Sequence, residues 1–538
     1  MDKALEMAKA SATGSLKLSL GLVASTVIMA VGTIILARLL SPEEYGLYSI
    51  ALIPSLMFCL FRDFGVDSAM TKYIAQFRAS TKDENARDMI VAGLTFEIIT
   101  GLTLSFVSLL VASFIASTVL RRPESTLLVS IVSISIFSGA LLTVSQSIFT
   151  GVERMGLKSF IMICQSIAKT AISILLVFLG YGALGAVIGY TFSVLAAGIL
   201  GLVMLYLVIF RSLRTKTNRF GIIKSLKTML RYGVPLSIFT IIANFLTQFY
   251  GFIMAFFCSD LLIGNYYITV NFAVILTFFT TPVSTVLFPA FAKLNPQNEQ
   301  QLLKTVFVSS VKYGALLLVP ATMAMMILSQ PMINTLFGTN WVYAPLFLSL
   351  YVVGNLFVVL GDLSIYSLLT GLGETKMLMK QSVLKLILGI PLAVLLIPTF
   401  GILGVILGSL LAGIPGLFWA LYWVWKHHKA KADFKSSARI FAASTIAAII
   451  TYFSLNFLVA AEWIRLMAGV MIFLIVYIFA TPMIGAVSQT DINNLRVMFS
   501  GLGIISKLIN IPLVIVEKVA ATCARYGLAV RSLREQNS

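Results

Sequence analysis

Charge is scarce in this sequence. Asp, Glu, Lys and Arg together make up 11% of its 538 residues, against 59% hydrophobic residues and a mean hydropathy of +0.97. A soluble chain cannot hide that much apolar surface beneath a wetted exterior, so a soluble globular or disordered protein is excluded. Histidine is almost missing. His427 and His428 are adjacent in a basic stretch, which reads as a solvated loop rather than a metal site. Cys59, Cys164, Cys258 and Cys523 lack any paired spacing, which argues against a disulfide or metal framework. No cleavable leader is expected: the start is long, mixed in charge and without an evident processing site, so the first apolar stretch is expected to act as its own insertion signal. Phosphate-loop spacing fails as well. Gly151-Val-Glu-Arg-Met-Gly156-Leu-Lys158-Ser159 displaces the lysine by one position and joins two apolar stretches rather than a strand and a helix. No catalytic residue, metal or cofactor is expected.

What the chain does have is long apolar runs, each able to cross a hydrocarbon core about 30 Å thick as a helix. They fall at 18–37, 45–61, 89–114, 126–149, 158–179 and 183–210, then at 234–257, 265–290, 305–327, 345–368, 378–397 and 401–425, and finally at 439–459 and 463–484. The expected fold is an all-α integral membrane protein of about fourteen transmembrane helices. The corresponding division is an N-lobe at 1–212, a basic linker at 213–233, a C-lobe at 234–428, a helix pair at 429–484 and a tail at 485–538.

The net charge of +18 does not point to nucleic acid, because the cations sit in alternate short breaks rather than on one face. One set of breaks holds clusters such as Lys72, Arg78, Lys82 and Arg87, the linker's Arg211, Arg214, Lys216, Arg219, Lys224, Lys227 and Arg231, and Lys426, Lys429, Lys431, Lys435 and Arg439. The other set holds only Arg38, Arg121, Arg122 and Arg465. Cationic loops stay in the cytoplasm, so both termini are expected inside, in a plasma or inner membrane. The opposite loops are too short to hold an extracytoplasmic catalytic domain. The tail mixes apolar positions with Arg496, Lys507, Lys518, Arg525, Arg531 and Arg534; it reads either as interrupted amphipathic helices on the anionic leaflet or as a solvated tail.

Three matches indicate an internal repeat. Ser41-Pro-Glu-Glu-Tyr-Gly46-Leu-Tyr48 matches Ser259-Asp-Leu-Leu-Ile-Gly264-Asn-Tyr266, and Ser147-Ile-Phe-Thr150-Gly151 matches Ser367-Leu-Leu-Thr370-Gly371. The clearest is Gly182-Ala-Leu-Gly185-Ala-Val-Ile-Gly189 against Gly401-Ile-Leu-Gly404-Val-Ile-Leu-Gly408. Offsets of 218, 220 and 219 agree too well for chance. Six spans per copy is an even number, so both copies enter from the same face as parallel repeats. Gly185 with Gly189 and Gly404 with Gly408 form small-xxx-small faces, read as helix-packing sites.

Five ionisable residues fall well inside the apolar runs: Glu97, Lys169, Lys312, Asp362 and Lys385. An uncompensated charge at midplane costs about 2.5–3.5 kcal/mol on insertion scales, so such groups pair or face water. Lys169 and Lys385 both lie on the fifth helix of their repeat. A shorter preceding loop aligns Gln165-Ser166-Ile-Ala-Lys169 with Gln381-Ser382-Val-Leu-Lys385 at 216; the rigid offset sets Lys385 a turn away. One reading is a cationic chamber of Lys169, Lys385 and Lys312 for an anionic substrate, with Glu97 and Asp362 as counter-charges or as ion- and proton-coupling groups. The other is internal salt bridges such as Glu97 with Lys169, with Lys312 snorkelling to the interface. Arg38 ends the first span. Arg62 and Asp63 close the second and read as a local pair. Asn244 and Gln248, at helical spacing, and Asn271 suit either sugar hydroxyls or interhelical hydrogen bonds.

Ala37-Arg38-Leu-Leu-Ser41-Pro42-Glu-Glu-Tyr45-Gly46-Leu-Tyr48, the following Asp63-Phe-Gly65 and the Tyr181-Gly-Ala-Leu-Gly185 turn resemble the polysaccharide-biosynthesis flippases of the multidrug/oligosaccharidyl-lipid/polysaccharide exporter superfamily. The resemblance extends from about residue 10 to 490 and takes in Thr490-Asp491-Ile-Asn-Asn-Leu495. It implies two six-helix lobes forming a V-shaped cavity with cationic walls, worked by alternating access. The implied cargo is a polyprenyl-(di)phosphate-linked oligosaccharide carried from the cytoplasmic to the outer leaflet, and the last helix pair would serve the lipid tail. Membrane lipids and glycan-assembly enzymes are the implied partners of what reads as a monomer. The alternatives are a multidrug or small-cation antiporter of the same fold, which would favour acidic and aromatic cavity groups, and a membrane-embedded glycosyltransferase or polymerase using Glu43 and Glu44. Those two glutamates suit a helix N-terminus better.

Overall fold

The computed structural model describes residues 2–80, 83–210, 219–295, 298–499 and 514–519. Among these the chain is helical, and all fourteen apolar runs fall on helix. The helices are α1 Asp2–Leu39, α2 Pro42–Leu60, α3 Val66–Ala79, α4 Asp83–Leu110, α5 Thr126–Gly151, α6 Met155–Leu176, α7 Gly182–Leu205, α8 Arg219–Phe257, α9 Asp260–Ala273 and α10 Thr277–Ala292. There follow α11 Gln300–Ile327, α12 Ser329–Leu336, α13 Ala344–Tyr351, α14 Asp362–Gly371, α15 Thr375–Phe400, α16 Ile402–His428, α17 Phe434–Phe457, α18 Glu462–Met483 and α19 Gln489–Phe499. By length and apolarity eleven stretches can cross a membrane among the described residues, or twelve counting the bent pair 344–360 and 362–371. One of them, Met155–Ile209, runs through both α6 and α7, and α2 is not in the set. The protein is a multi-pass membrane protein.

Local chemistry places the breaks. Ser41 caps α2 in a capping box: its hydroxyl accepts from the Glu44 amide at 3.2 Å, and the Glu44 carboxylate accepts from the Ser41 amide at 3.0 Å. Pro42 then occupies the first turn, where its missing N–H costs nothing. Asp433 caps α17 by accepting from the amides of Lys435 and Ser436. Its partial burial opposes ionisation, but these bonds and the Ser436 hydroxyl outweigh burial and hold the carboxyl below its usual range. Gly361, at φ +98°, turns the chain by 60° between α13 with its 3₁₀ continuation and α14.

Three features depart from the sequence reading. The break between the second and third apolar runs contains α3, whose Val66, Ala69, Met70 and Ile74 are buried. The basic linker expected at 213–233 is already helix from Arg219 onward, and its Arg211, Arg214 and Lys216 lie outside the described residues. The third concerns the tail, where only the choice left open narrows: α19 is helical, in keeping with the reading as interrupted helices, while Lys507, Arg525, Arg531 and Arg534 lie outside the described residues.

The chain forms two compact units, whose limits differ from the lobe boundaries expected above. The first comprises 1–271 with 385–412; the second comprises 272–384 with 413–538. In the first, α5 packs on α4 and α7, α6 packs on α1 and α7, and α8 lies against α2, α3 and α4. A core of fully buried residues, including Met70, Ile74, Ile90, Ile148, Phe149 and Met229, joins α3, α4, α5 and α8. In the second unit α11 packs on α17, α10 on α14, and α17 on α18. There the tail helix is pinned by Lys312, whose Nζ lies 2.6 Å from the Asp491 carboxylate, and by Asn494, which donates to the Tyr313 hydroxyl at 2.8 Å.

The approach of the start of α2 to the start of α9 needs two glycines. A methyl group at Gly46 would overlap the Asp260 carbonyl oxygen, and one at Gly264 would overlap the Pro42 carbonyl oxygen. Neither obstacle is a flexible side chain, so neither can step aside. Gly46→Val should therefore lower the melting temperature in detergent sharply, by overpacking of about 1–3 kcal/mol or more. Gly413→Ala, which meets nothing within 4 Å, should leave the melting temperature unchanged or higher. Equal behaviour of the two variants would refute this packing.

Candidate functional site

Lys169 opens onto a cavity of about 280 Å³ within the first unit. Helical spacing builds the walls. On α2, Tyr45, Tyr48, Ser49, Leu52, Ile53 and Leu56 recur every three or four residues and so share one face. On α6, Lys169, Thr170 and Ser173 do the same. Met29, Gly32, Thr33 and Leu36 of α1, Thr247 and Gln248 of α8, and Tyr267 and Asn271 of α9 complete the lining.

The lining contains one cation and no carboxylate. Lys169 is half-buried, and its Nζ lies 5.5 Å from the centroid of the Tyr190 ring, a cation–π distance. Asn271 donates to the Tyr45 hydroxyl at 2.9 Å. The Ser173 hydroxyl is buried with no hydrogen-bond partner among the described residues. A buried hydroxyl beside an ammonium, facing amide and phenol groups, suits an oxygen-rich anionic guest. A second cavity of similar size, lined by Pro54, Met57, Phe58, Phe61, Ile115, Val119 and Phe252, offers no polar group.

The residues singled out from sequence separate into distinct places. Lys169, Gln248 and Asn271 meet at the cavity. Lys385 does not line it and is exposed on α15. Lys312 does not line this cavity, and its Nζ lies 2.6 Å from the Asp491 carboxylate in the second unit. Asp362 is not deep in a straight helix but exposed at the N-terminus of α14, where a carboxylate is favoured by the helix dipole. Arg38 is exposed in the last turn of α1, suited to the dipole there. Asn244 is exposed and donates to the Thr240 carbonyl of its own helix at 2.8 Å.

Glu97 is fully buried, and its partner is Arg62 rather than Lys169: Arg62 Nε lies 3.2 Å from Glu97 Oε2. The local Arg62–Asp63 pair expected from sequence is replaced by this bridge from the turn after α2 to α4. Gly139 leaves room for the guanidinium, which donates to the Thr143 hydroxyl at 2.7 Å. Asp63 instead accepts from the amides of Gly65 and Asp67, at 3.2 and 2.8 Å, and so starts α3. Asp67, on α3, has its carboxyl pushed up to about 7, first by burial and then by the Asp63 charge. Sequence reasoning missed Tyr45, Tyr48, Tyr267, Thr170 and Ser173. The last two were within reach, since they share the face of Lys169.

Removing one partner of a buried pair strands the other's charge. Arg62→Ala should cost roughly 3–5 kcal/mol of stability. Arg62→Met combined with Glu97→Gln should recover much of it, as read by thermal unfolding of purified protein. Full additivity of the two single losses would show that the pair is not coupled.

Residues 35–345 match the family described as "Polysaccharide biosynthesis protein". Among curated proteins, the chain is 21% identical over 243 residues to the probable low-salt glycan biosynthesis flippase Agl15 of Haloferax volcanii, covering 45% of this chain and 51% of that one. It is 31% identical over 186 residues to the lipopolysaccharide biosynthesis protein WzxC of Escherichia coli K12, covering 34% and 37%. The aligned parts thus span about half and little more than a third of those relatives. Among solved structures, the lipid II flippase MurJ in an inward closed conformation superposes with a TM-score of 0.69 at 18% identity, over 85% of this chain and 97% of that one, which shows a shared fold. With more than half of its length matched, the chain belongs to the polysaccharide biosynthesis protein family.

Proposed function

We propose that this protein is a flippase that carries a polyprenyl-(di)phosphate-linked oligosaccharide from the cytoplasmic to the outer leaflet by alternating access. The observation that carries the reading is Lys169: a cation among polar side chains, with no carboxylate in the same cavity. A sugar-phosphate head cannot enter hydrocarbon unless something replaces its hydration. An ammonium with hydroxyl and amide neighbours supplies that replacement for the charge, while the lipid chain stays in the bilayer. Family membership and the names of the relatives agree with this cargo. An antiporter for cationic drugs would place carboxylates in the lining, and this lining has none.

The same reading sets both termini in the cytoplasm, from the loop cations, and arranges the first twelve spans as two parallel repeats. Corresponding glycines support the repeats. Gly151 packs on Thr71 and Ile74, and Gly371 on Phe288 and Phe291; Gly185 packs on Leu176, and Gly404 on Leu396. Gly46 against Asp260 and Gly264 against Pro42 is a reciprocal pair, the pattern expected when equivalent turns meet about a two-fold axis.

A charge-assisted contact is worth about 1.5–3 kcal/mol, so its loss predicts a roughly ten- to hundredfold slower flip. Lys169→Ala should show that loss in proteoliposomes carrying a polyprenyl-diphosphate oligosaccharide, with membrane insertion unchanged. Gln248→Ala should cost only a few fold. Undiminished flipping by Lys169→Ala would remove the cationic-cavity reading, and no flipping by the wild type would remove the substrate class.

A further inference from the structure

The Arg62–Glu97 bridge belongs to a larger cluster that the transport reading does not use. One carboxylate oxygen each from Asp63, Asp67 and Glu97 lies within 4.8 Å of the other two. We propose that these three side chains form a binding site for a hard, oxygen-preferring cation of the size of sodium or calcium.

Geometry is the first argument. Three oxygens no more than 4.8 Å apart share a centre at most ~2.8 Å from each, a radius that accommodates the about 2.3–2.6 Å of calcium–oxygen bonds. Charge is the second. Three carboxyl groups gather beside two cations, the Arg62 guanidinium on Glu97 and the Lys158 ammonium near Asp67, so acids outnumber bases where burial makes unmet negative charge expensive. Unmet hydrogen bonding is the third, and it is independent of the other two. Glu97 is 0% exposed, yet neither of its oxygens has a hydrogen-bond partner among the described residues, and Asp67 Oδ1 is buried in the same condition. Arg62 offsets charge at Glu97 Oε2 but leaves Oε1 without a donor. Such oxygens are what a hard cation satisfies.

The chemistry of the donor set narrows the choice. Only carboxylates converge, with no imidazole or thiolate, which disfavours zinc, copper and iron. The frame is held in place before any ion arrives: two backbone amides orient Asp63, and Thr143 fixes the guanidinium. Sequence alone gave Glu97 as a candidate for ion coupling; the structure assigns it two aspartates from the start of α3. If the protein is a flippase, this site would supply its coupling ion, and that role alone rests on the reading above. Occupancy itself is read without transport.

The test uses full-length protein in nanodiscs, treated with chelator and held in choline chloride at fixed ionic strength. Sodium chloride and calcium chloride are titrated in separate arms, with melting temperature and equilibrium binding of radioactive ²²Na⁺ or ⁴⁵Ca²⁺ as readouts. A saturable rise in melting temperature with one ion, and binding near one ion per chain, are expected; the responding arm identifies the cation. Asp67→Asn, which keeps the size of a half-buried side chain, should abolish the response, as should Glu97→Gln where that variant folds. No response to either ion, an equal response in Asp67→Asn, or stabilisation by acidification alone would overturn the site. Lys169→Ala that loses flipping but still responds to the ion would leave both proposals intact, whereas a wild type that responds but never flips glycan would remove only the transport reading.

Discussion

An ammonium group among apolar helices must be solvated by something, and this requirement organises the first compact unit. The cost of an unmet charge in a bilayer is of the same order as that of a large packing defect. Lys169 is supplied with an aromatic face at Tyr190 and opens onto a polar cavity, but no carboxylate lies in that lining. The cavity, its tyrosines and its amides follow from that omission. A carboxylate at the same place would have closed the charge locally and left nothing for a guest to neutralise.

The other buried charges are handled by the opposite device. Arg62 meets Glu97, Lys312 meets Asp491, and Arg122 meets Asp260 while also donating to the carbonyl of Cys258 at 2.8 Å. Each such pair ties separate elements: the turn after α2 to α4, α11 to α19, and the turn before α5 to the start of α9. Desolvation makes these bridges weak contributors to net stability. Their strength is in register, because a wrong partner would strand two charges at once.

Much of the architecture was legible because hydrocarbon demands it. Runs of apolar residues long enough to span, broken by Ser-Pro or glycine turns, left few options other than helix, and each run is helical. The repeated glycines were equally readable, since Gly46 and Gly264 hold their places by what a side chain would strike. The partners of charges were not legible. Glu97 is as far from Lys169 in sequence logic as from Arg62, and only helix rotation decides which one it meets. Lys385 is exposed on α15 and does not line the Lys169 cavity, a difference in surroundings that two lysines in similar apolar runs do not reveal. Lys312 resembled a cavity lysine because its carboxylate lies 179 positions away, beyond any local pattern. The short amphipathic α3 hid inside a polar break that read as loop.

That separation between Lys312 and Asp491 also bears on biogenesis. Ribosomes add about 5–20 residues each second, so roughly ten to forty seconds pass between synthesis of the lysine and of the aspartate that neutralises it. Throughout that interval α11 carries a lone cation at its place in the second unit. The newborn helix must shelter it in interfacial water, lipid phosphate or an insertase until the tail arrives. A short segment made much later thereby governs when an earlier helix can settle.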